Sequence, residues 1–323
     1  MVAMLPDLSK VPRHAYSFLW ADYVELLCLC GRNGLVSKGN IDASTQEAGD
    51  VQADSVGDPA NEAQSEEVDD QVSRRWADIH TRLAARSKQY VDWPFTLEKN
   101  LLRSRFDQNN KRHRLYLALL VASSLRLCGD GRSHEVTSAF EEISYHWLRC
   151  SLNNMWEVRP FGAHQTLPNA YTGTLLERLK ALAVDIQARM QKADDRYDPR
   201  NTGDGGIDLV AWLKMGDHRG NMPVIFGQCA CSPTDWEDKQ LDVTPAATEA
   251  HLSPDHPGAA YCFIPHDLSA NDKMWDRSEH VKRTVLVDRR RLFTVFENCN
   301  AFNDLPTWKF VDYAAATNAV AAT

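Results

Sequence analysis

The sequence predicts an α+β protein, with an all-helical N-terminal region followed by a domain that mixes helices and strands. Up to about residue 133, apolar residues recur at helical spacing. Beyond it, helical segments alternate with short apolar runs rich in β-branched residues, the clearest being "IDLVAWL" (207–213) and "PVIFGQCA" (223–230). We therefore divide the chain into a helical region, 1–133, and a second domain, 134–323.

The helical region contains one segment that we expect to be a flexible acidic insertion. Residues 39–72 are rich in carboxylates and contain no basic or aromatic residue before Arg74, so they cannot bury enough apolar surface to order themselves. Helical patterns precede this insertion at 12–31 and follow it at 72–90 and 109–129.

The second domain begins with helices and continues with strands. A helix is predicted over 138–152, with Ser138 as its N-cap and Glu141 three positions on, which is the spacing of a capping box. The elements predicted after it are a helix within 172–191, adjacent antiparallel strands at 207–213 and 223–230, strands at 259–265 and 283–288, and a closing helix at 289–302.

Composition excludes several classes of protein. The net charge of -8 argues against binding nucleic acid through overall charge, although a local basic groove is compatible with it. No run approaches the roughly 20 apolar residues of a membrane span, and no signal peptide is recognisable, so we expect a cytoplasmic protein without membrane contact. The eight cysteines show no C-x-x-C spacing, which indicates reduced, mostly buried thiols.

The segment that carries chemistry is "GDGGIDLVAWLKMGDHRGNMPVIFGQCAC", residues 203–231. Its glycines permit backbone conformations closed to other residues, and they lead into a strand whose first polar position is Asp208. The next strand ends in Gln228. An antiparallel hairpin would bring Asp208 and Gln228 side by side.

The order of these features resembles the Mrr-like restriction endonucleases of the PD-(D/E)xK nuclease superfamily. The resemblance covers roughly residues 138–245: a helix with an "FE" start, then "DGGID" and a strand, then an apolar strand ending in Gln. It implies a restriction-endonuclease-like mixed sheet flanked by helices, and a divalent ion, Mg²⁺ or Mn²⁺, held by Asp208, Gln228 and Glu141. Such an ion stabilises charge on phosphate and activates water at neutral pH.

The sequence departs from the family where the lysine of the last triplet should stand. That position is Ala230. In the superfamily this lysine can move to the following helix, and "SPTDWEDKQLD" offers Lys239 there, with a solvated surface lysine as the equal alternative. Lys214, at the hairpin, is a weaker substitute because a regular strand points it away from the metal end.

Other residues have competing interpretations. Glu141 is equally a capping-box partner of Ser138, and Asp204 is more typical of a turn than of a ligand. His266 and Asp267 follow a strand and could line the same cleft, and one arginine of 289–291 could bind phosphate.

The resulting expectation is a Mg²⁺-dependent endonuclease acting on DNA, with Asp208, Gln228, Glu141 and Lys239 as catalytic residues. By analogy with the family, the context is bacterial restriction or antiphage defence, and the expected partner class is an ATPase, a helicase or a sensor protein. The alternative is a degenerate nuclease fold that binds nucleic acid or assembles with a partner, and Ala230 is its support. The sequence leaves the oligomeric state open.

Overall fold

The computed structural model describes residues 4–6, 8, 10–12, 16–31, 33–41, 60–129, 131–162, 167–271 and 274–320, without the side chains of 60–73, 270, 271 and 317–320. The helices are α1 (Ser17–Cys30), α2 (Ala60–Gln89), α3 (Lys111–Ala122), α4 (Ser133–Ser151), α5 (Leu175–Asp185), α6 (Trp236–Lys239), α7 (Pro245–Thr248), α8 (Arg289–Asn298) and α9 (Lys309–Val320). The strands are β1 (Leu35–Ser37), β2 (Phe95–Glu98), β3 (Leu101–Ser104), β4 (Trp156–Pro160), β5 (Arg189–Met190), β6 (Leu209–Leu213), β7 (Val224–Cys229), β8 (Leu252–Ser253), β9 (Ala259–Phe263), β10 (Ser269–Asn271), β11 (Met274–Trp275) and β12 (Val285–Val287).

The chain forms two compact units. The first comprises residues 1–136, 266–273 and 307–323, and the second comprises 137–265 and 274–306. The break at 136 lies close to the division at 133 drawn from the sequence. The sequence division placed 266–273 and 307–323 in the C-terminal domain, whereas in the structure they belong to the first unit. Long-range contacts, and not chain order, decide which unit a segment joins.

The first unit is mainly helical but contains a small sheet, so the prediction of an all-helical region was wrong. Strand β3 lies between β1 and β2 and is antiparallel to both. The predicted acidic insertion at 39–72 is also corrected in part: α2 begins at Ala60, so 60–72 is helical, while 42–59 lie outside the described residues.

A buried ionic cluster lies in the core of the first unit. The guanidinium of Arg86 binds Asp22 at 2.7 Å, Glu25 at 2.6 Å and Asp267 at 3.4 Å, and all four side chains are at most 3% exposed. The hydroxyl of Tyr90 donates to Asp267. Asp267 therefore belongs to this cluster, and its neighbour His266 is fully buried in the same unit.

The second unit is built on a mixed five-stranded sheet in the order β12-β9-β7-β6-β4. Strand β6 runs antiparallel to β4 and β7, while β7, β9 and β12 are parallel. The predicted antiparallel pairing of the two apolar runs is confirmed, with Leu209 opposite Gly227 at its last registered pair. The fold is thus of the α+β class, as the sequence predicts.

Helices cover both faces of this sheet. The buried side of α5 packs Leu179 and Leu182 against Val210, Phe226 and their neighbours on one face. On the other face, α4 places the Trp147 ring 5.5 Å from that of Phe263. Because β7 alternates its side chains, Gln228 shares the face of Phe226, and Cys229 the face of α4.

All eight cysteines are free thiols, as the sequence predicts, but only half of them are buried, namely Cys28, Cys30, Cys231 and Cys262. Across the described part of the chain, no helix combines the length and apolar character of a membrane span.

Candidate functional site

Asp208 lies at the start of β6, in a turn that the preceding glycines make possible. Gly205 and Gly206 have φ of 64° and 84°, the left-handed region that favours glycine. The Asp204 carboxylate accepts a hydrogen bond of 2.7 Å from the Gly206 amide, so Asp204 forms the turn.

The backbone of Asp208 is held from two sides. Its amide donates to the carbonyl of Gly227 on β7, at 2.9 Å. Its carbonyl accepts from the amides of Phe161, at 2.7 Å, and Gly162, at 3.0 Å, just after β4. Asp208 is therefore fixed between the ends of two neighbouring strands.

The carboxylate of Asp208 is only 4% exposed and meets a second carboxylate. Its Oδ2 accepts a hydrogen bond of 2.7 Å from the Cys229 amide. If Gly162 carried a Cβ, that atom would lie 3.1 Å from Asp208 Oδ1 and 3.2 Å from Glu141 Oε2. The distance between the two oxygens is therefore no greater than the sum of these two distances. The absence of a side chain at residue 162 leaves this space open.

Burial raises the pKa of Asp208 well above its ordinary value, and the charges of Glu141 and Asp204 raise it further. The Cys229 amide and the Lys239 ammonium act in the opposite direction. These surroundings favour the uncharged form of Asp208 more than water does, and a bound cation would favour the charged form.

Glu141 reaches this position from the interior of α4. That helix begins at Ser133, and the predicted N-cap at Ser138 was wrong, because the helical pattern extends one turn and more upstream. A capping-box role with Ser138 is thereby excluded for Glu141, since Ser138 lies inside the helix.

Gln228 is the residue opposite Asp208 when the β6–β7 register is extended by one pair. Its side chain is 3% exposed, and its Oε1 is buried without a hydrogen-bond partner among the described residues. No hydrogen bond joins it to Asp208 in the described structure. The structure thus brings Asp208 close to Glu141, and places Gln228, whose Oε1 is an unused acceptor, at the strand position opposite Asp208.

Lys239 lies on the single-turn helix α6, with about half of its side chain exposed and its Nζ 3.4 Å from Asp242. Its charge reaches Asp208, whose pKa it lowers. Lys214 instead binds Glu157 at 3.1 Å, at the far end of β6, which removes it as a substitute. Ala230 is buried.

The thiol of Cys229 lies near the same carboxylates. Burial, then the charges of Asp208 and Glu141, raises its pKa well above the ordinary value, and the hydroxyl of Ser144 opposes this shift. Cys229 is therefore a protonated thiol, unsuited to act as a nucleophile or a thiolate ligand.

The arginines at 289–291 have structural contacts. Arg289 is fully buried and donates to the carbonyl of Pro265. Arg291 donates to the carbonyl of Leu286 and lies 4.6 Å from the ring centre of Trp275. Trp236 is completely buried, so it is a core residue.

Sequence reasoning missed Arg178, a fully buried residue on α5. Its guanidinium donates to the carbonyls of Phe161, Gly162, Thr202 and Gly203, which belong to the two segments beside Asp208. The sequence signal that could have found it was a charge inside an apolar helix stripe that contains Leu175, Leu179 and Leu182.

The residues at this site fit a divalent ion that prefers oxygen ligands. Two carboxylates lie close to a space that a methyl group would fill, and Gln228, with an unsatisfied carboxamide oxygen, occupies the strand position opposite Asp208. Within the described ranges, no three His, Cys, Asp or Glu side chains group as a metal site.

Comparison of the chain with protein-family models, with curated proteins and with solved structures finds no match.

Proposed function

We propose that the second unit is a Mg²⁺- or Mn²⁺-dependent endonuclease that hydrolyses phosphodiester bonds of DNA. The observation that carries the proposal is the meeting of Asp208 and Glu141 beside Gly162, at the ends of β4, β6 and β7. Asp208 is buried and Glu141 is half-buried, so the charge of Glu141 disfavours the charged form of Asp208, and an ion held by both would offset this effect.

Each residue has a defined task in this proposal. Asp208 and Glu141 bind the ion through carboxylate oxygens, and Gln228 supplies its buried Oε1 as a neutral ligand. The bound ion would supply charge stabilisation at the phosphate and a water ionised at neutral pH. Lys239, half-exposed on α6, holds the attacking water or a phosphate oxygen through Nζ.

Cleavage of supercoiled plasmid DNA with Mg²⁺ or Mn²⁺ tests the proposal. Removing an outer-shell partner of a metal site typically costs about 10- to 100-fold in activity. We expect Asp208→Asn and Glu141→Gln to lose more activity than that, and Gln228→Leu to lose less activity than either of them. Asp195→Asn, a change at an exposed carboxylate, is the matched control and should cut like wild type. Equal cleavage by wild type and Asp208→Asn would refute the assignment.

Lys239 is tested separately. We expect Lys239→Ala to abolish cleavage while DNA binding, measured by fluorescence anisotropy in Ca²⁺, is retained. Unimpaired cleavage would remove Lys239 from the site.

A second candidate is a nuclease fold that binds nucleic acid or assembles with a partner without cutting, and the buried Ala230 at the position of the family's lysine favours it. DNA binding by wild type with no cleavage in either metal would select this alternative. Within either function, restriction or antiphage defence beside an ATPase, helicase or sensor remains our proposed context by analogy.

A further inference from the structure

Arg178 links two loop segments that meet at the carboxylate pair. Its Nη1 donates to the carbonyls of Phe161, at 2.6 Å, and Gly162, at 3.0 Å. Its Nη2 donates to the carbonyls of Thr202, at 2.8 Å, and Gly203. One fork thus binds the chain after β4 to the turn that leads into Asp208.

The same two residues connect Arg178 to Asp208. The carbonyls of Phe161 and Gly162 face the guanidinium, while the amides of these two residues donate to the Asp208 carbonyl. Gly162 is also the residue whose missing side chain leaves room for Asp208 Oδ1 and Glu141 Oε2. A shift of this segment would therefore move the wall of the carboxylate site.

The core does not require a cation at residue 178. The side chain lies in the apolar stripe of α5, between Leu175 and Leu182, where an apolar residue of similar size would avoid the cost of removing a charge from water. The four carbonyls are what the guanidinium satisfies, and only a planar fork with several donors can reach them together.

We infer that Arg178 is a positioning residue, which holds the Phe161–Gly162 and Thr202–Gly203 segments so that Asp208 and Glu141 share one divalent ion. This inference rests on the proposed metal-dependent function, and it assigns a role to a residue that touches neither ion nor substrate.

Binding of Mn²⁺, measured by isothermal titration calorimetry, tests the inference with Arg178→Met and Arg178→Lys. We expect Arg178→Met to raise the Kd by about 10- to 100-fold, the usual cost of losing an outer-shell partner. Arg178→Lys keeps the charge but has three donors for four carbonyls, so its Kd should rise less. Lys180→Met, on the same helix but exposed, is the control and should bind like wild type.

Unchanged Mn²⁺ affinity in folded Arg178→Met would overturn the inference. If Arg178→Met does not fold, the Mn²⁺ affinity of Arg178→Lys tests the inference instead, and an affinity equal to that of wild type would overturn it.

A metal-free measurement separates this inference from the proposed function. Asp208→Asn should raise the melting temperature relative to wild type by relieving the carboxylate repulsion, and we expect this rise to shrink in the Arg178→Lys background. If wild type neither binds Mn²⁺ nor cuts, the proposed function fails, and the melting temperatures still test the role of Arg178. An undiminished rise would then overturn the inference.

Discussion

Replacing Asp208 with Asn should stabilise the metal-free protein at neutral pH. Asp208 is 4% exposed, and burial together with the charge of Glu141 raises its pKa. In Asp208→Asn, the side-chain oxygen can still accept from the Cys229 amide, while the new NH₂ group faces Glu141 Oε2 across the space beside Gly162. The substitution thereby removes the charge of residue 208 close to Glu141.

The sign and size of the effect follow from proton linkage. Because the folded-state pKa is raised above the ordinary value of 3.8, the stability linked to Asp208 is fully present below that pH and is lost as pH rises towards the folded pKa. Asn has no such dependence, so its advantage should be small near pH 4 and grow towards neutrality. We expect a gain of about 0.5 to 2 kcal/mol, as for other relieved functional sites, and about 2 to 4 °C in Tm per kcal/mol.

Divalent metal should reverse this order. An ion that binds only the folded wild type stabilises it by about 2.7 kcal/mol at 100 times its Kd. Thermal denaturation of both proteins from pH 4 to 8, with EDTA and with Mn²⁺, makes the comparison, and Asp195→Asn is the control. Equal Tm values in EDTA at every pH would refute the view that Asp208 is a strained buried acid.

Two further predictions test other parts of the structure. Gly162→Ala should weaken Mn²⁺ binding by at least about 10-fold in calorimetry, because its methyl group would lie 3.1 Å from Asp208 Oδ1. Gly39→Ala is the control and should have no effect, because the nearest atom to its methyl group would be 3.9 Å away. Unchanged affinity in Gly162→Ala would argue against a metal beside residue 162. Arg86→Met should lower the free energy of unfolding of the first unit by about 3 to 5 kcal/mol in urea denaturation, because it removes the cation that Asp22, Glu25 and Asp267 share in the core. Arg103→Met, at a half-exposed ion pair, is the control and should cost at most about 1 kcal/mol. Similar losses for both variants would contradict the buried cluster.

The strands of the second unit could be predicted because they are long and strongly patterned. Runs such as 207–213 combine apolar and β-branched residues with flanking glycines, and their antiparallel pairing follows from the short connection between them. The strands of the first unit could not, because β1, β2 and β3 contain three or four residues each, too few to establish a period.

The start of α2 was missed for a different reason. Its first residues, from Ala60, have the acidic and apolar-poor composition of a disordered segment. Yet Ala, Glu and Gln are strong helix formers, and acidic residues near a helix N-terminus interact favourably with the helix dipole. Local helix propensity and overall composition therefore make opposite predictions for these residues, and the structure follows the helix propensity.

In the candidate site, sequence spacing could bring forward Asp208 and Gln228 as neighbours on adjacent strands, but not the contact with Glu141. That contact depends on how α4 packs on the sheet and on the open space at Gly162. Arg178 was missed because its partners are backbone carbonyls, which leave no trace in residue identity.

The position of Asp208 argues for an ionic role over a purely structural one. A strand-start cap needs one acceptor, and Oδ2 fulfils that need by binding the Cys229 amide, which an asparagine could do equally well. The second oxygen, Oδ1, lies 3.1 Å from where a Cβ on Gly162 would stand, as Glu141 Oε2 does at 3.2 Å, and burial together with the charge of Glu141 makes the negative charge of Asp208 costly. In the proposed function, a cation shared with Glu141 would convert that cost into binding energy, and a reversal of stability between wild type and Asp208→Asn on adding Mn²⁺ would measure this conversion directly.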